Sequence, residues 1–145
     1  MLIWSFFFII LTFVQATITP LNLLLLAIIS FSVLNPKTKS LFLLFFVGIL
    51  TDLILLRPIG ETSLFFLVLG FLIMLYGQKY QADSPLFILI FTILATLIET
   101  KLFLGSFVWS MVVIHLILIL PAFFLMRVGN EMLSRNNSRQ LKLKI

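Results

Sequence analysis

Residues 107–126 read FVWSMVVIHLILILPAFFLM, and residues 86–104 read LFILIFTILATLIETKLFL. An α-helix needs roughly 20 apolar residues to cross a bilayer core of about 30 Å, and both stretches have that length. Neither shows the period-two alternation of a membrane β-barrel strand. The remainder of the chain is of the same kind. It is 62% hydrophobic and 10% charged, where soluble domains are about 45–50% apolar and about 25% charged. Too few polar side chains exist to cover a water-facing exterior. The sequence therefore reads as an all-α, polytopic transmembrane bundle without a soluble domain.

Four more apolar runs precede these two. Ile3–Ile18 is closed by Thr19-Pro20, and Leu21–Leu34 by the segment Asn35 to Ser40. Leu41–Leu56 ends at Arg57-Pro58-Ile59-Gly60-Glu61. Ser63–Tyr76 extends towards Tyr80 and meets the turn 81–85. The break between the last two runs falls at Gly105-Ser106. Proline and glycine are expected to end helices at these breaks, not to kink them. Leu21–Leu34 would reach only about 21 Å at 1.5 Å per residue. Six spans are expected, or five if this run joins the first through Pro20. No Lys or Arg precedes the first run, so it reads as a retained span and not as a cleaved signal peptide. The bundle is assigned to residues 1–127 and a basic tail to 128–145.

Charge placement orients the bundle. With six spans and a cytoplasmic N-terminus, Lys37, Lys39, Lys79, Arg127, Arg135, Arg139, Lys142 and Lys144 lie inside, and Arg57 and Lys101 outside. That asymmetry follows the positive-inside rule and puts the C-terminus in the cytoplasm. The formal net charge of +5 is concentrated in Arg127, Arg135, Arg139, Lys142 and Lys144, which suits anionic lipid head groups. A nucleic-acid partner would need a basic folded face with aromatic platforms, which is not seen. The absence of cysteine excludes disulfides, thiolate metal sites and cysteine nucleophiles. With no glycine-rich phosphate loop and no nucleophile elbow, neither enzymatic activity nor a cofactor is expected.

Polar residues within the spans are costly and need an account. Asp52 follows Thr51 and lies one helical turn after Gly48, giving one small polar face. It reads as a packing residue paired with Arg57 or Lys101, or as a buried proton-relay carboxylate. Thr92, Ala95, Thr96 and Glu99 form a second stripe, suited to close helix approach. Glu99 would meet Arg57 or Lys101, reach water, or serve transport. His115, the one histidine, has Met111 and Leu118 on its face and reads as a hydrogen-bonded interior residue. A metal site there would need Asp52 or Glu99.

The stretch from Gly48 through Thr51-Asp52-Leu53 to Arg57-Pro58-Ile59-Gly60 resembles the signature of the bacterial rod shape-determining protein MreD family. In that family a helix bearing Gly and Asp-Leu runs into a loop with proline, an aliphatic residue and glycine. The last run, with its basic exit at Arg127, is also similar. Leu56 stands where the family often has glycine, and Arg57 where a small polar residue is common. The resemblance implies a fold similar to the substrate-binding component of energy-coupling-factor vitamin transporters. It also implies a bacterial inner-membrane location and a scaffolding role. The implied partners are the bitopic protein MreC, the actin-like MreB, the glycosyltransferase RodA and a class B penicillin-binding protein. The Pro58–Gly60 turn is expected to hold Arg57 and Glu61 at the outer face, with Gly60 free to adopt positive φ. The competing expectation is a vitamin-type transport subunit working with separate ATPases.

Overall fold

The structure is a computed structural model that describes residues 2–18, 22–79, 84–105 and 108–142. These residues form six helices: α1 (Leu2–Ile18), α2 (Leu23–Leu34), α3 (Thr38–Ile54), α4 (Glu61–Lys79), α5 (Pro85–Leu104) and α6 (Trp109–Lys142). No strand occurs among the described residues. Each helix contains most of one apolar run of the sequence, and α6 continues well beyond its own. α1 and α2 are separate helices, so the runs do not merge. Pro20 and Tyr80 lie outside the described residues.

Local chemistry sets the helix ends. Ser84 caps α5, its Oγ accepting from Phe87 N at 3.2 Å, and Pro85 occupies the first helical turn. Proline is tolerated there because that amide has no intrahelical partner. Gly105 closes α5 in the left-handed region at φ 68°. Pro121 lies inside α6, within the run 107–126 that reads as the last span. The bond it removes is tolerated in membrane-type helices when neighbouring groups satisfy the freed carbonyl. The helix runs on from the bundle into the basic tail and passes unbroken through Asn136-Asn137-Ser138. Asn and Ser cost only some tenths of a kcal/mol each in a helix, and Arg, Gln, Leu and Lys nearby favour it.

α2 is the centre of the bundle. It packs against α1, α4, α5 and α6, and every residue from Leu24 to Val33 is buried. A helix that is apolar all round has no face suited to water and is enclosed by others. Its 12 residues give a length of about 18 Å. The core joins Phe8, Phe31, Leu44, Phe66, Ile73, Ile88 and Ile119. α3 packs on α4 and α1. Gly48 makes the α3–α4 approach possible, because a Cβ there would overlap the Ser63 backbone. Ser63 Oγ in turn donates to the Phe45 carbonyl at 2.7 Å.

The outside of the bundle is apolar. Phe6, Phe13, Phe42, Phe46, Leu64, Leu86, Phe124 and Leu125 are all exposed. Two helical segments, Pro85–Phe103 and Trp109–Met132, are long and apolar enough to cross a membrane.

Candidate functional site

The corner between α3 and α4 is built around Asp52. α3 ends as Leu55 N donates to Thr51 O at 2.9 Å, and Arg57 N reaches Asp52 O at 2.9 Å. The chain reverses through two left-handed residues, Leu56 at φ 52° and Gly60 at φ 102°. α4 then starts at Glu61, with its first four amides lacking intrahelical partners. Asp52 supplies two acceptors. Oδ2 accepts from Gly60 N at 2.8 Å, and Oδ1 accepts from Thr62 N at 3.1 Å. The carboxylate is 0% exposed, and it sits at the positive end of the α4 dipole. Asp52 is thus a capping residue reaching across from the preceding helix. This corrects the expected pairing with Arg57 or Lys101: its partners are backbone amides. Glu61 and Pro58 are exposed at the corner, and Gly60 takes the positive φ expected of it.

Arg57 turns away from Asp52 and into a cavity of about 70 Å³, lined by Gln15, Asn22, Arg57, Glu99, Thr100, Phe103, Met111 and His115. These residues come from α1, α2, α5, α6 and the α3–α4 corner. The α1–α2, α3–α4 and α5–α6 connections therefore share one end of the bundle. The guanidinium lies 4.2 Å from the centre of the Phe103 ring, a cation–π arrangement. Glu99 is buried and accepts through Oε1 from Asn22 Nδ2. The Asn22 side chain also caps α2, with Oδ1 accepting from Leu25 N at 3.0 Å. Gln15 Oε1 accepts from Leu24 N at 3.0 Å. Two side chains from outside α2 thus satisfy amides that a short, enclosed helix would otherwise leave unpaired.

His115 is 2% exposed. Its Nδ1 pairs with Thr96 Oγ1 at 3.2 Å, and its Nε2 is buried with no partner. The stripe Thr92, Ala95, Thr96 and Glu99 faces the bundle interior. Its members separate by role: Thr92 bonds back to its own helix at Ile88 O, Thr96 meets α6, and Glu99 meets α2. The cavity offers one carboxylate, one guanidinium, two amides, one hydroxyl and one imidazole. It can hold water or a small hydrogen-bonding group, and none of these side chains is an activated nucleophile.

The chain matches no protein-family model, no curated protein and no solved structure.

At the opposite end of α6, Arg127 is exposed and pairs with Glu131 at 3.4 Å. An exposed pair of this kind contributes little to stability. Arg135, Arg139 and Lys142 lie on the same helix, while Lys144 is outside the described residues. Sequence reasoning singled out Asp52, Arg57, Glu99 and His115 but missed Gln15 and Asn22. The available signal was Asn22 immediately before an apolar run, a typical N-cap position.

Proposed function

We propose that this chain is a non-enzymatic scaffold of the bacterial inner membrane, serving the cell-elongation machinery. It supports peptidoglycan synthesis and cell shape by binding an MreC-like bitopic protein. Through that partner it works with an MreB-like actin homologue, RodA and a class B penicillin-binding protein. The observation that carries the reading is the Asp52 corner. Gly48, Asp52, Pro58 and Gly60, the residues through which the sequence resembles the rod shape-determining MreD family, all serve one α3–α4 junction. Gly48 sets the helix approach, Asp52 caps α4, and Pro58 and Gly60 make the turn.

In this reading all six helices cross the membrane, and the exposed phenylalanines and leucines meet lipid or partner helices. The corner and the polar cavity lie at the outer end. The basic end of α6 lies against the cytoplasmic leaflet, with each basic residue near the surface contributing about 1 kcal/mol. The polar cavity is what favours the second reading, a vitamin-type transport subunit. Its volume of about 70 Å³ has room for a few waters, whereas small-molecule pockets run to about 300–1,000 Å³.

The test is affinity capture of the tagged full chain from native membranes in mild detergent, with co-purifying proteins identified by mass spectrometry. An MreC-like protein or RodA is the expected partner. Recovery of paired ATPases with a coupling membrane subunit would replace the scaffold reading with transport.

A further inference from the structure

α1 and α6 both pack on α2, and between them runs an apolar groove of about 700 Å³. Its walls include Trp4 and Phe7 of α1, its floor Leu26 and Ala27 of α2, and its far side Ala122 and Gly129 of α6. The small residues keep it open, and nothing lies within 4 Å of where a Gly129 Cβ would sit. The groove's length and what it leads to define its occupant.

α6 has 34 residues, hence a length of about 51 Å, so it outruns a hydrocarbon core of about 30 Å. Counted from Trp109, it leaves the core near Gly129. The groove begins near Leu118 on α6. Its last residue on α6 is Met132, about 21 Å away; the part within the core, up to Gly129, is about 16 Å, close to the thickness of a single leaflet, about 15 Å. A transmembrane helix would need twice that length of contact, whereas one lipid acyl chain needs only this much. Past Met132, the last lining residue on α6, the helix continues through residues 133–142, which carry Arg135, Arg139 and Lys142 and no acid.

We propose that this groove binds one acyl chain of an anionic phospholipid, whose head group lies on the basic end of α6. The inference rests on the membrane-spanning reading but not on the scaffold role. It makes the chain selective for anionic lipid in the leaflet that carries its basic end.

Two tryptophans make the test direct. The chain contains only Trp4 and Trp109; Trp4 lines the groove, and Trp109 is 69% exposed at the other end of α6. The full chain, as Trp109→Phe or Trp4→Phe, is reconstituted into phosphatidylcholine vesicles containing phosphatidylglycerol. Either lipid carries brominated acyl chains, which quench nearby indole fluorescence. Trp4 is expected to be quenched at about fivefold lower mole fraction of brominated phosphatidylglycerol for each basic residue engaged. Trp109 is expected to show no preference. Replacing Arg135, Arg139 and Lys142 by Gln abolishes the preference, and Ala122→Phe abolishes it by filling the groove.

Equal quenching of Trp4 by the two lipids overturns the proposal, as does a preference that survives the Gln substitutions. So does protection of Trp4 from both lipids while Trp109 is quenched, which would mean that a protein helix fills the groove. If neither tryptophan is quenched, the membrane-spanning reading fails and the groove assignment goes with it.

Discussion

Asp52 holds the amides of Gly60, which is half-buried, and of Thr62, which is buried. Asp52→Ala leaves both donors unpaired, at a cost of about 1–3 kcal/mol for each. Asp52→Asn keeps one acceptor and is expected to lose less. Unfolding in detergent, followed by circular dichroism or by SDS titration, gives the order wild type, Asn, Ala. An alanine variant as stable as wild type would remove Asp52 from the corner's design. Leu56 makes the opposite prediction. Its φ of 52° strains a side chain by about 1–2 kcal/mol, and the side chain is 93% exposed, so little packing is at stake. Leu56→Gly is expected to be as stable as wild type or more so in the same assay. The family resembled by this sequence often has glycine there, and the backbone supplies the reason. Gly60→Val, by contrast, places a β-branched residue at φ 102° and should lower membrane levels and partner capture together.

Helices α2 and α3 depend on contacts that their own sequences do not contain. α2 is short and begins inside the bundle, so its first amides rely on Asn22 and on Gln15 from α1. Asn22→Ala removes a cap worth about 1 kcal/mol and also takes the partner from buried Glu99. The loss expected on unfolding therefore exceeds that of an ordinary cap, and Asn22→Ala with Glu99→Gln should restore part of it. For α3, Gly48→Val drives a side chain into the Ser63 backbone. Overpacking of this kind costs about 1–3 kcal/mol. Gly129→Ala is the control, since open space surrounds that position and alanine is the better helix former by about 1 kcal/mol. The two glycine variants should move the unfolding midpoint in opposite directions.

At the scale of the molecule, the even number of helices and the distribution of basic residues make a topological prediction. Green fluorescent protein fused after Ile145 should fluoresce, and alkaline phosphatase fused there should be inactive. Phosphatase inserted at the exposed corner, between Ile59 and Gly60, should be active. The reverse pattern would invert the bundle. It would also move the polar cavity and the Asp52 corner to the cytoplasmic side.

Hydrophobic run length, composition and the placement of Pro and Gly are local properties, and the sequence by itself determined what depends on them. All six helices, their approximate ends, the absence of alternation and the turn at Pro58 to Gly60 follow from those properties. The continuation of α6 through Asn136 to Ser138 was not legible in this way, because such polar residues are a local loop signal that the good helix formers around them outweigh. Only the tertiary structure decided which helix stands at the centre and which polar groups meet. An apolar helix such as α2 has no contrasting face from which a neighbour could be inferred. The partner of Asp52 is a pair of amides released by a turn, and the partner of Glu99 lies 77 residues away at Asn22. Such pairings are fixed by how the helices stack, because a buried polar group takes whichever partner packing brings within reach.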